Sequence, residues 1–159
     1  MADFNPAVEN LLRKEGGFAP RDNRAGSVNF GITAQFLRCI RHPKKPAELT
    51  REEAIELYRL HFWTPARCEA IRDQAAAELF FEAAVNMGLP QATRLLQRAA
   101  SVEADGRIGP VTLHAVNSYQ PAEFCQRFRQ QALDFYEQLA ASDSEYADDL
   151  KGWKARIGL

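Results

Sequence analysis

A mainly α-helical domain interrupted by one non-helical insertion, at residues 16–33, is predicted by three features of the sequence. Apolar residues recur at helical spacing over most of the chain. Capping residues and prolines punctuate those runs at the places where helices start. Turn formers, in contrast, concentrate in one stretch, as Gly16, Gly17, Pro20, Asp22, Asn23, Gly26 and Gly31. A length of 159 residues, with 46% hydrophobic and 26% charged side chains, suits one compact domain with its own core. The same figures exclude a disordered tail, a collagen-like repeat and a coiled coil.

The elements follow in order. Asn5 before Pro6 is a cap and first-turn pair, and Val8, Leu11 and Leu12 share a face, so a helix is predicted from about 5 to 15, stopped by Gly16-Gly17. Residues 16–33 form a loop or a small hairpin. Thr50-Arg51-Glu52-Glu53 reads as a capping box opening a helix with Ala54, Leu57, Tyr58 and His61 on a stripe, ending before Pro65. The run from Gln74 to Met87 is apolar nearly all round, which marks a helix buried on most sides, with Gly88 as its stop. Pro90 restarts a helix carrying Ala92, Leu95, Leu96 and Ala99; Asp105-Gly106 is a turn; Pro110 opens another helix to about Ser118. Pro121 opens a long one with Phe124, Phe128, Leu133, Phe135, Tyr136 and Leu139, and a last short helix holds Leu150, Trp153 and Ile157.

Charge narrows the partners. Twenty Lys and Arg against 21 Asp and Glu argue against a dedicated nucleic-acid binder. The balance is uneven, however: in 13–45, Arg13, Lys14, Arg21, Arg24, Arg38, Arg41, Lys44 and Lys45 face only Glu15 and Asp22. Such a tilt is ordinarily a solvated face, and its functional reading is a surface that attracts a polyanion. No apolar run approaches the roughly 18 residues of a membrane span, and the N-terminus shows no basic region followed by an apolar one, so no secretory signal and no stable membrane insertion are expected. Cys39, Cys68 and Cys125 are odd in number and widely spaced, the pattern of reduced thiols in a core. Cys39, His42, His61 and Cys68 match no zinc template, and no G-x-S-x-G is present, so neither a metal nor a nucleophilic serine is expected.

The chemistry points to the insertion, because eighteen glycine-rich residues near its start add nothing to the packing of a small helical domain. Glu15 sits where the first helix ends, and the two glycines after it let backbone approach a ligand closely. A carboxyl there, shielded by Phe18 and Phe30, would hold its proton and serve as a general acid; the alternative is one more surface acid, poorly placed against the helix macrodipole.

The string Glu15-Gly-Gly-Phe18, then Asp22, Gly26 and Asn29-Phe-Gly-Ile-Thr33, resembles the N-terminal signature of glycoside hydrolase family 108, lysozyme-like N-acetylmuramidases found in phage endolysins and related bacterial proteins. Ala83-Ala-Val-Asn-Met-Gly88, Leu95-Leu-Gln97 and Asp105-Gly-Arg-Ile-Gly-Pro-Val-Thr112 are similar to the peptidoglycan-binding region that follows it there, and Phe128-Arg129, Phe135-Tyr136 and Lys151-Gly-Trp153 with Arg156 resemble its end. The resemblance covers nearly the whole chain in the right order. It departs from the family at Ala25-Gly26-Ser27-Val28, where a Gly-Gly pair followed by Thr is usual, and Asp22 matches the family's loop aspartate when a gap is placed before it.

The resemblance implies an α+β, mainly α, lysozyme-like fold, with a helical lobe and a small β-hairpin element near residues 16–33. It implies one compact domain over 1–159, with a catalytic part at 1–72 and a helical part at 73–159 resembling the peptidoglycan-binding region. The expected reaction is cleavage of the β-1,4 bond between N-acetylmuramic acid and N-acetylglucosamine. Glu15 carries over as the acid; Asp22 would stabilise the oxocarbenium-like charge or orient water, and Thr33 would hold that water. Gly16, Gly17, Phe18, Asn29, Phe30 and Gly31 are the expected substrate contacts. No cofactor is needed, since acid catalysis and charge stabilisation lower this barrier. The expected partner is bacterial peptidoglycan, met by a monomer that is made in the cytoplasm and reaches the wall after a holin opens the membrane. The alternatives are a catalytically weak or silent wall-binding module and a secreted antibacterial effector.

Overall fold

The computed structural model describes residues 1–15, 27–142, 152 and 154–155, the side chain of Glu15 excepted. The chain divides into two compact units, one of residues 4–61 and a helical one of residues 62–159 joined by residues 1–3.

The first unit opens with α1 (Phe4–Glu15). Pro6 falls in its first turn, where a missing N–H breaks no helical bond. Phe4, Ala7, Val8 and Leu11 form its buried face, while Arg13 and Lys14 sit in the last turn, where cations suit the negative end of the helix dipole. Strands β1 (Val28–Asn29) and β2 (Ile32–Thr33) pair antiparallel, Val28 opposite Thr33 and Asn29 opposite Ile32. This is the β element expected within 16–33. Thr33 then caps α2 (Ala34–Cys39), its Oγ1 accepting from the Phe36 N–H at 3.1 Å.

Neither α2 nor the 3₁₀ turn at Pro46–Glu48 is among the sequence expectations. Helix α2 ends in a Schellman arrangement: Arg41 adopts φ 55° and the His42 N–H reaches the Leu37 carbonyl at 2.9 Å. The left-handed position is ordinarily glycine, and an arginine there hides the stop signal. Helix α3 (Arg51–Tyr58) carries the predicted capping box, Glu53 N–H to Thr50 Oγ1 at 3.2 Å and Thr50 N–H to Glu53 Oε2 at 2.9 Å. The helix expected to run on to Pro65 instead widens into a π turn at Arg59–Trp63. Glu9 pairs with Arg51, linking α1 to α3, and the Arg59 guanidinium lies 4.2 Å from the centre of the Phe4 ring.

In the helical unit, Asp73 caps α4 (Gln74–Met87), accepting from the Ala76 N–H at 2.8 Å. Helix α4 is buried on most sides, as its composition predicts, with Ala76, Ala77, Leu79, Phe80, Phe81, Ala83 and Ala84 all enclosed. Gly88, at φ 83°, separates it from α5 (Leu89–Ala99); α6 (Pro110–Ser118) and α7 (Pro121–Ser142) follow. Each of the last two starts at the predicted proline. Helices α4, α5 and α7 pack on one another, with Phe80 edge-on to Phe128 at 6.3 Å and Trp63 edge-on to Phe81 at 5.5 Å.

The buried stripe of α7 is Phe124, Phe128, Ala132 and Tyr136, which steps of four place on one line, with Cys125 beside it; Leu133, Phe135 and Leu139 flank it half-buried. Residues 1–3 join this unit through the Ala2 N–H to Ile71 carbonyl bond at 3.0 Å and a reciprocal pair between Asp3 and Gln74. The short helix expected around Leu150, Trp153 and Ile157 lies outside the described residues, apart from helical backbone at Gly152, Lys154 and Ala155.

The architecture is the expected α+β, mainly α one. One cysteine departs from expectation: Cys68 and Cys125 are buried thiols, but Cys39 is exposed, since α2 is short and turns that residue outward at its last position. Burial pushes the Cys68 and Cys125 thiols above their ordinary range, so neither is a ready nucleophile.

Candidate active site

Glu15 is the last residue of α1. Its side chain, together with Gly16, Gly17, Phe18 and Asp22, lies outside the described residues.

The rest of the motif is the β1–β2 hairpin. Its two turn residues, Phe30 at φ 52° and Gly31 at φ 78°, both have positive φ, the requirement of a type I′ connection whose twist matches the strands. Glycine takes this conformation freely, but a bulky aromatic does so at a cost of about 1–2 kcal/mol. The surroundings hold Phe30 there. The hydroxyl of the buried Tyr58, on α3, donates to the Phe30 carbonyl at 2.8 Å. Asn29, also buried, donates its amide to the Pro46 carbonyl at 3.0 Å, fastening β1 to the 3₁₀ turn. The Ala34 N–H to Ser27 carbonyl bond, 3.0 Å, extends the ladder beyond β2.

These contacts separate the predicted site residues by what their polar groups are doing. The Asn29 amide nitrogen serves the hairpin's attachment. Thr33 Oγ1 serves as the α2 cap through a lone pair, which leaves its O–H free to donate. Phe30 and Gly31 form the tip. Tyr58 is the residue that sequence reasoning placed only as core; the available signal was a tyrosine where a phenylalanine would pack equally well, since a buried phenol ordinarily finds a partner.

Around the hairpin the basic tilt is partly neutralised. Lys44 pairs with Glu53 and, with the Thr50 N–H, holds that carboxyl below its ordinary range; Arg13 donates to Asn10. Arg38, Arg41 and Lys45 are exposed and form no ion pair among the described residues. His42 accepts from the Lys44 N–H at 3.2 Å, and His61 sits edge-on to Phe36 at 5.5 Å.

The second cluster that carried the resemblance, Asp105–Thr112, is organised by Gln97 of α5. The side chain is buried and donates to Asp105 Oδ1 at 2.7 Å, the Arg107 carbonyl at 3.0 Å and Thr112 Oγ1 at 3.2 Å, while accepting from the Gly106 N–H at 2.8 Å. Hydrogen bonds from the Arg107 N–H and from Gln97 hold the Asp105 carboxyl below its ordinary range.

No helix among the described residues is long and apolar enough to cross a membrane. The glycosyl hydrolase 108 family model matches residues 8–88, and a model described as a predicted peptidoglycan domain matches residues 91–157. No curated protein matches the sequence. Among solved structures, Brucella abortus SagA is similar at 22% identity over 97% of this chain and 92% of its own, with a TM-score of 0.80, a likeness of fold. The lysozyme-like α+β expectation therefore holds, and the two family matches account for both halves of the motif pattern. The chain belongs to the glycosyl hydrolase 108 family and, through its coupled peptidoglycan domain, is a glycoside hydrolase directed at peptidoglycan of the cell wall.

Proposed function

We propose that the chain is an endolysin-type muramidase, cleaving the β-1,4 bond between N-acetylmuramic acid and N-acetylglucosamine with Glu15 as general acid. The observation that carries this reading is the family match over 8–88, which takes in both Glu15 and the strained Asn29–Thr33 hairpin. Glycoside cleavage needs a proton for the leaving oxygen and stabilisation of positive charge at the anomeric carbon. Glu15, the last residue of α1, keeps a proton and delivers it to the bridging oxygen. Asp22 stabilises the developing charge or orients the attacking water, and the Thr33 hydroxyl, whose O–H is not consumed by its cap, holds that water.

Gly16, Gly17 and Phe18 shape the approach to the acid, and Phe30 and Gly31 present the hairpin tip to the glycan. The exposed Arg38, Arg41 and Lys45 attract the carboxylates and phosphates of the wall. The enzyme works as a monomer on the wall after holin-mediated release.

Digestion of purified sacculi, with the new ends identified by mass spectrometry, tests the bond assignment. Reducing muramic acid ends are expected; reducing glucosamine ends or anhydro ends would replace the muramidase reading with a glucosaminidase or a lytic transglycosylase. Glu15→Gln keeps the fold and lowers release of reducing sugar by at least about a hundredfold. Near-normal release from that variant removes Glu15 from the acid role, and a parent chain that binds sacculi without releasing muropeptides is a wall-binding module.

A further inference from the structure

Where α4 begins and α6 passes into α7, the helical unit encloses a pocket of about 390 Å³. That is within the usual range of small-ligand sites, about 300–1,000 Å³. Its apolar lining comes from Ile71, Val116 and Phe124, all buried side chains. Its mouth carries two opposite charges on neighbouring residues, the exposed Arg72 and the half-buried Asp73.

The pocket is held open by hydrogen bonds that do not consume those charges. Asn117 accepts from the Arg72 backbone N–H at 2.8 Å and donates to the Ala70 carbonyl at 2.9 Å, clamping the end of α6 to the segment that precedes α4. The Arg72 guanidinium itself makes no ion pair among the described residues, Asp73 included. Asp73 uses Oδ1 for the Ala76 N–H, which leaves its second oxygen for a ligand.

The wall argues against a sugar. Pyranose rings bind on a free aromatic face, and of the two aromatics that line the pocket Phe124 is buried while Tyr119 is already flanked by Phe124 at 5.9 Å and by the Arg127 guanidinium at 5.1 Å. An apolar floor beneath a separated cation and anion fits an alkyl chain that ends in both a carboxylate and an ammonium. Peptidoglycan supplies that chemistry in its stem peptides and not in its glycan backbone.

Taking the chain as a peptidoglycan hydrolase, we propose that this pocket binds the stem peptide, a peptide carboxylate on Arg72, an ammonium on Asp73, and the alkyl chain between them over Ile71, Val116 and Phe124. The peptide site lies in the helical unit and the acid, Glu15, in the other, so one binds the wall by its peptides while the other works on its glycan.

The test is titration of the full chain with the free tetrapeptide L-Ala-γ-D-Glu-meso-diaminopimelyl-D-Ala, followed by calorimetry and by amide shifts of Asn117 and Tyr119. Saturable binding is expected, weakened about tenfold or more by Arg72→Ala, an exposed position whose backbone hydrogen bond survives the change. Asp73→Asn, which still caps α4, weakens it similarly for the free tetrapeptide and not for one acetylated on the diaminopimelate amine. Absence of binding, equal binding by both variants, or binding of peptide-stripped glycan strands in place of the tetrapeptide overturns the proposal. Reducing-end release from sacculi is measured separately: release without tetrapeptide binding removes the pocket alone, and binding without release removes the hydrolase reading alone.

Discussion

The hairpin at Asn29–Thr33 and the loop at Asp105–Thr112 both need a residue with positive φ, and both are tied down by a polar side chain from a helix, Tyr58 in one case and Gln97 in the other. They fill the strained position differently. In the loop it is Gly106, where φ is 78° and a Cβ would come within 3.2 Å of the Arg94 guanidinium carbon, so folding alone accounts for the glycine. In the hairpin one of the two positions is Phe30, for which folding alone would select glycine or asparagine. A residue that costs stability where it stands, in the segment that carries the family motif, is what the proposed glycan-facing role of the hairpin would account for. The loop, in contrast, is accounted for by its own hydrogen bonds.

Replacing Gln97 should have the largest effect on stability. Gln97→Leu keeps the volume but strips partners from the Gly106 N–H and the Arg107 carbonyl, and should lower stability by about 2 kcal/mol in urea unfolding. Because the loop is structural in this comparison, sacculus hydrolysis at a temperature where the variant remains folded should change less than twofold. A hydrolytic defect well beyond that would place the loop in the reaction.

Tyr58→Phe removes one hydroxyl, and its cost should be smaller, about 1 kcal/mol. Here activity should fall further than stability does, about tenfold in kcat, since the bond lost is the one that fixes the hairpin tip. Equal kcat at equal folded fraction would show that the tip needs no fixing. Phe30→Asn sharpens the point from the other side. Asparagine tolerates the left-handed region, so stability should hold or rise by up to about 1 kcal/mol while hydrolysis drops. A variant that loses stability and keeps its activity would make Phe30 a packing residue and erase the contrast with Gly106.

Much of the fold was legible because its signals are local. The Thr50–Glu53 capping box, the prolines opening α6 and α7, and Gly88 after α4 each sit within one turn of the boundary they set. What escaped lacked such a signal or depended on distant partners. Helix α2 is only six residues long, and its C-terminal αL position is filled by Arg41, as that of α5 is by Ser101, where a glycine would have announced the stop. Thr33, singled out for its chemistry, was not read as the cap of α2. In the site, the order of motif residues and Gly31 as a turn former were readable, whereas the Asn29–Pro46 and Tyr58–Phe30 bonds join residues 17 and 28 positions apart, and no local pattern encodes them. The π turn after Tyr58 is likewise silent in the periodicity that predicted a continuous helix.

The smallest expected effect separates the two segments by pH. The Tyr58–Phe30 link joins a phenol to a carbonyl, neither of which changes charge in acid, whereas the loop includes the Asp105 carboxyl, held below its ordinary 3.8 first by the Arg107 N–H and then by the Gln97 amide. A carboxyl depressed by folding contributes stability that is fully present above its unfolded value and is lost as pH falls through the folded one. The loop should therefore loosen only below about pH 3.8, and modestly, because Asp105 is exposed to solvent that screens it. In an NMR titration the Gly106 amide and the Gln97 side-chain amide should shift together with a midpoint beneath 3.8, and Asp105→Asn should abolish the transition while leaving the Phe30 and Tyr58 signals unmoved. A midpoint at or above 3.8 would mean that the hydrogen bonds to Asp105 do not favour its charged form, and Gln97 would then hold the loop through Gly106, Arg107 and Thr112 alone.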